Sequence, residues 1–257
     1  MCLIVFAWKS HSDLRLVVAA NRDERHARAT EPAAFWEDLP QVCAGRDLVA
    51  GGTWLGITRG GRFAAVTNYR EGVASPDAAH SRGRLTREFL AGEESPQCFL
   101  QRLQPRARDY AGFNLLLGEI GGELCYFSNR ATRYEVLSPG IYGLSNGLLD
   151  TPWPKLTGAK AALGEILRAG HRPGPEQLLE ILADRSLPPD DALPATGVGM
   201  DLERLLSPRF ITAPGYGTRS STGITVDASG SVALCERSFD ASGARSSEVC
   251  HRFSVRR

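Results

Sequence analysis

The residue with the most chemistry stands second in the chain. Cysteine after Met1 is small enough for methionine aminopeptidase to remove the initiator, leaving a thiol and a free α-amine on Cys2. An α-amine titrates at about 7.7–8.0, so it can act as general base for its own thiol without a separate histidine. The alternative is that Cys2 is a small apolar residue opening a buried strand. Asn68 and Asn146 each follow an apolar run, Arg62 to Thr67 and Ile141 to Leu144. A carboxamide N–H₂ at either place could donate to a developing oxyanion, an interaction worth about 3–4 kcal/mol in a transition state. Each is also a common turn residue, Asn146-Gly147 above all. Asn21 and Asp23, two apart at the end of a strand, share one face while Arg22 takes the other. A carboxylate at Asp23 could hold the α-amine of Cys2 if the two strands are neighbours; a solvated turn is the alternative.

These residues need strands to hold them. Short apolar runs at Leu3 to Trp8 and Leu14 to Ala20 read as strands, followed by a loop carrying Pro32 and Pro40. Thr53 to Thr58 and Arg62 to Thr67 form a hairpin across Arg59-Gly60-Gly61. From Ser81 to Tyr110 the period becomes helical, with Leu85, Phe89 and Leu90 on one face and Ser95-Pro96 as an N-cap and first-turn pair. Strands return at 113–120, 123–128, 134–137 and 141–144, then helices at 154–168 and 175–185. The stretch 187–196 reads as an exposed loop. Strands at 209–212, 218–226, 232–239 and 248–255 close the chain. This order lacks the strict β-α-β alternation of a parallel sheet. It predicts an α+β sandwich of antiparallel sheets covered by helices, as a single domain over 1–257.

Composition narrows the partners. With 30 basic against 29 acidic side chains the formal charge is +1, which leaves no electrostatic argument for nucleic acid. The only lysines are Lys9, Lys155 and Lys160. No segment reaches the ~20 apolar residues of a membrane span, and the apolar start is too short for a signal peptide. Six cysteines without a C-x-x-C pair point to a reduced cytoplasmic chain, neither a disulfide scaffold nor a zinc site. Cys43, Cys98, Cys125, Cys235 and Cys250 are expected to be structural, with Cys98 on an apolar helix face. His11, His26, His80, His171 and His251 are isolated, and no metal site is expected.

M-C-L-I, A-A-N-R-D-E at 19–24, G-G-T-W-L-G-I at 51–57, A-A-V-T-N-Y at 64–69, G-L-S-N-G at 143–147 and Y-G-T-R-S-S-T at 216–222 together resemble the NRDE family, that of the transport and Golgi organisation protein 2. A more distant resemblance is to N-terminal-nucleophile (Ntn) hydrolases of the choloylglycine hydrolase and penicillin acylase type. It implies a four-layer αββα sandwich, Cys2 as nucleophile, Asp23 at its amine, Asn68 and Asn146 at the oxyanion and Arg219 as a late active-site arginine. Asn21, Arg22, Trp54 and Tyr69 become substrate-side residues. Ala20 stands where those hydrolases usually carry an arginine, and Arg22 is expected to face away from the pocket. The implied activity is cleavage or transfer of an acyl group at a linear amide or related bond, with no cofactor required. The family resemblance also implies a non-catalytic alternative, carriage of haem or of acyl-lipid such as acyl-CoA.

Overall fold

The structure, a computed structural model, describes residues 2–72, 80–170 and 172–256. Met1 and His171 lie outside them. The chain opens with a long hairpin, β1 (Cys2–His11) and β2 (Leu14–Arg25), followed by β3 (Thr30–Phe35) and β4 (Val42–Asp47). A second hairpin, β5 (Leu55–Thr58) and β6 (Arg62–Asn68), leads to helices α1 (Gly83–Ala91) and α2 (Pro96–Leu103). Four strands come next: β7 (Phe113–Glu119), β8 (Leu124–Ser128), β9 (Glu135–Val136) and β10 (Gly140–Leu144). Helices α3 (Pro154–Arg168), α4 (Pro175–Ile181) and the short α5 (Met200–Leu205) precede the closing strands. These are β11 (Thr212–Ala213), β12 (Tyr216–Asp227), β13 (Ser231–Phe239) and β14 (Arg245–Ser254).

The strands form two antiparallel sheets. One has the order β10-β1-β2-β12-β13-β14, with β11 beside β12; the other runs β3-β4-β5-β6-β7-β8-β9. Strand alternation divides the apolar residues of the first sheet between two cores. Ile4, Phe6, Trp8, Leu16, Val18 and Ala20 point to the second sheet and share its core with Ile57, Phe63 and Leu115. Leu3, Val5, Ala7, Val17 and Ala19 point the other way and meet Leu156, Leu163 and Leu178 of α3 and α4. Helices α1 and α2 pack on the second sheet, where Phe89 and Phe99 meet edge to face at 5.6 Å. Ser95 caps α2 as its sequence suggests, its hydroxyl accepting from Cys98 N at 3.2 Å.

Several expectations need correction. The loop expected around Pro32 and Pro40 contains β3 and β4. Pro32 is tolerated because β3 is an edge strand, and its pairing with β4 shifts register between Glu31 and Ala34. Strand β2 does not stop at Ala20; it carries the polar burst on to Arg25, because β12 continues to pair with it as far as Arg25. Helix α5 lies just past the expected loop, and α4 ends at Ile181. Cys98 is exposed.

The thiol expectation also fails at one pair. Cys235 and Cys250 are joined in a disulfide. They are direct cross-strand partners in β13 and β14, with Cα atoms 4.2 Å apart. The sequence places both strands but not their register, and the register alone makes the pair. Among the described residues no helix is long and apolar enough to cross a membrane.

Candidate active site

Register fixes the first contact of the site. Cys2 pairs with Arg22 across β1 and β2, and directly opposed residues of an antiparallel pair project to the same face. Arg22 therefore shares the inter-sheet side with the Cys2 thiol, contrary to the expectation that it faces away. Asn21 and Asp23 project to the helix side. A cavity of about 120 Å³ opens beside Cys2, walled by Arg22, Trp54, Asn68 and Arg82 and rimmed by Glu24, Arg28 and Asp47. Asp23 also contributes to its lining.

The wall is held by specific contacts. The Arg22 guanidinium lies over the Trp54 ring at 4.4 Å and donates to Thr30 Oγ1 at 3.1 Å. Trp54 fits because residue 45 is glycine; a Cβ there would overlap the indole. Arg28 and Asp47 pair at 2.6 Å on the rim. On the far side of Arg22 and Trp54 a second cavity of about 210 Å³ is lined by Arg219, Glu236 and several serines.

Asn68 ends β6, and Ser145-Asn146 follows β10, so the two carboxamide positions come from different sheets. Three hydrogen bonds bind these segments together. Thr67 Oγ1 donates to Ser145 O at 2.6 Å, Asn146 Nδ2 to Asn68 O at 2.9 Å, and Arg70 N to Asn146 O at 2.7 Å. Ser145 also donates through Oγ to Cys2 O at 3.1 Å, tying the cysteine to the same bridge. Beneath it, Asn114 donates to Gly147 O at 2.9 Å and accepts from Tyr126 OH at 2.9 Å. Asn146 is fully buried and spends one N–H on the Asn68 carbonyl. Asn68 is half-buried on the cavity, and among the described residues its carboxamide makes no hydrogen bond.

Behind the cysteine lies a buried charged cluster. Asp23 Oδ1 accepts from Thr218 Oγ1 at 2.7 Å, and Tyr216 OH donates to Asp23 O at 3.1 Å. Lys155 Nζ, also buried, donates to Leu206 O at 2.9 Å. Burial, only partly offset by the nearby Asp23 charge, brings the lysine down to about 8. Arg70 and Glu203 form a buried ion pair at 2.5 Å, with Arg70 over the Trp153 ring at 4.7 Å. Burial raises the Asp23 carboxyl, while the Lys155 charge opposes that shift. Burial likewise raises the Cys2 thiol, Asp23 adds to the rise and Arg22 opposes it. Burial thus favours the neutral thiol at Cys2 over the thiolate.

The remaining candidates sit elsewhere. Asn21 donates to Leu182 O and Arg209 O at 3.1 and 2.8 Å and accepts from Ser221, joining the strand to the segments after α4 and α5. Arg219 donates to the carbonyls of Arg25, His26 and Arg28 at 3.0, 3.0 and 3.1 Å, closing the turn after β2 and lining the second cavity. Tyr69 is half-buried outside the Cys2 cavity, its N–H on Gly112 O at 2.9 Å. Sequence reasoning missed Arg70, Arg82, Lys155 and Glu203. Lys155 left a signal, one of three lysines in an arginine-rich chain. Glu203 left none, since the helix that carries it is short and amid polar loop.

Two facing antiparallel sheets with helices, and a cysteine at the start of an inner strand, resemble the Ntn-hydrolase class of fold. The chain superposes on the C2A mutant of conjugated bile acid hydrolase from Clostridium perfringens with a TM-score of 0.52, covering 99% of this chain and 92% of that chain at 8% identity. At that identity the likeness concerns the fold alone. The chain belongs to the Transport and Golgi organisation 2 family, whose model matches residues 1–241. It is 37% identical over 260 residues to the Transport and Golgi organization protein 2 homolog of Bos taurus, covering 93% of each chain. Against the human homolog it is 36% identical over 259 residues, again covering 93% of each.

Proposed function

We propose that this protein is an N-terminal cysteine hydrolase that cleaves, or transfers the acyl group of, a linear amide or related acyl bond. The observation that carries the reading is the shared cavity of Cys2 and Asn68, a thiol and a carboxamide without a hydrogen bond among the described residues, which come from two sheets to one opening. In support, the fold neighbour is named a conjugated bile acid hydrolase and was crystallised as its C2A mutant. On this reading the chain is one domain with the αββα layering of that class.

Removal of Met1 frees the α-amine of Cys2. As Sγ attacks the substrate carbonyl carbon, the thiol proton passes to that amine. The carbonyl oxygen takes up negative charge and accepts from Asn68 Nδ2, held in place because Asn146 fixes the Asn68 backbone. The C–N bond then breaks, and the leaving amine takes the proton. Water adds to the resulting thioester, giving the acid and restoring the thiol. Asp23 and Lys155 act from behind the strand on the charge of this amine and thiol.

The test is hydrolysis of a panel of short N-acyl amides by the wild type, by Cys2→Ala and by a chain with one residue retained before Cys2. Turnover by the wild type alone is expected. Equal turnover in all three would contradict the assignment of the α-amine and thiol.

A further inference from the structure

We infer that Arg82 makes an anion subsite beside Cys2, so that the acyl compound taken there carries a carboxylate or phosphate. The inference rests on the Cys2 cavity being the reaction site.

Three arginines line that cavity, and two of them are already matched. Arg28 pairs with Asp47 at 2.6 Å. Arg22 stacks on Trp54, donates to Thr30 and has Glu24 at 3.9 Å. Arg82 has one hydrogen bond, Nη1 to Gly112 O at 3.1 Å, and no ion pair among the described residues. Cys2, Glu24 and Glu71 favour its charge without an ion pair to it among the described residues, while Arg28 repels it. Burial disfavours its charge, and the first turn of α1, which starts at the next residue, contains no acid. A guanidinium left in this state presents its remaining N–H groups for a bidentate anion.

The arginine is also held firmly. Thr53 N donates to Gly83 O at 3.2 Å, and Thr86 Oγ1 donates to both Thr53 O and Gly83 O. Gly52 packs so closely on Gly83 that a Cβ would overlap the backbone. The G-G-T-W motif thus does two things: Trp54 walls the cavity, and the residues before it dock the start of α1 so that Arg82 faces the same opening. A carbonyl contact to Gly112 alone needs neither the cavity nor this docking.

The test measures binding in the Cys2→Ala background, where no acylation occurs. Isothermal titration compares N-butyrylglycine with N-butyrylglycinamide, and N-butyryl-O-phosphoethanolamine with N-butyrylethanolamine. At least one anion is expected to bind about tenfold tighter than its neutral partner, the size of one charge-assisted hydrogen bond; the arm that shows it identifies carboxylate or phosphate. Arg82→Gln should erase the preference and leave the neutral compound's affinity unchanged. Arg82→Lys, which keeps the cation, should retain part of it and guards against a folding defect. No preference in either arm, or a preference that survives Arg82→Gln, would overturn the subsite. A preference that depends on Arg82, in a protein whose wild type never acylates, would uphold the subsite and remove the nucleophile reading alone.

Discussion

The two faces of the β1–β2 pair carry polar groups of opposite character. On the inter-sheet face, Cys2 and Arg22 border a cavity with the Asn68 carboxamide, which makes no hydrogen bond among the described residues. On the helix face, Asn21, Asp23, Lys155 and the Arg70–Glu203 pair are packed in and bonded to neighbouring carbonyls, hydroxyls and charges. The strand pair thus separates polar groups that border a cavity from polar groups bonded into the interior. Substitutions of Asn21, Arg70 or Glu203 on the helix side should fall on stability, those of Asn68 on the cavity side on chemistry, and Asp23, which also lines the cavity, should touch both.

The largest stability effect is expected at Glu203→Ala. It leaves the buried Arg70 charge without its partner, a change that typically costs about 3–5 kcal/mol. Urea unfolding measures it, and a loss under about 1 kcal/mol would show that the helix-side cluster does not brace the fold. On the other face, Asn68→Ala should slow Cys2 acylation by about 10²–10³-fold while leaving unfolding nearly unchanged. Asn146→Ala should instead lower both, since its amide also holds the Asn68 backbone. Equal behaviour of the two asparagines would erase that distinction.

Lys155 gives a pH signature. Its amine sits at about 8 when folded and at about 10.4 when unfolded, so between those values the unfolded chain binds more protons and stability rises with pH. The gain attributable to Lys155 amounts to about 3 kcal/mol across that window, and Lys155→Met should remove it. Unfolding curves of the two proteins that stay parallel from pH 8 to 10.5 would place the lysine in water. The smallest effect belongs to the rim: Arg28→Ala breaks a partly exposed pair and should cost at most about 1 kcal/mol by thermal unfolding.

Much of this arrangement is legible in the sequence where local pattern decides it. The β5–β6 hairpin, the α2 cap and the asparagines at the ends of their strands follow from turn residues and apolar period. What needs register is not legible. Arg22 faces Cys2, and Cys235 meets Cys250, only because strands pair at one particular offset. Edge strand β3 hides behind a proline that an edge tolerates. Lys155, Arg70 and Glu203 come from three separate segments, and only packing gathers them.

Intact and peptide mass spectrometry of the mature chain, after exposure to a short N-acyl amide or β-lactone, tests the nucleophile most directly. The expected result is a chain that begins at Cys2 and carries one acyl adduct on its first peptide, absent in Cys2→Ala. A chain that retains Met1, or an adduct that persists in Cys2→Ala, would contradict the assignment of Cys2 as the attacking group.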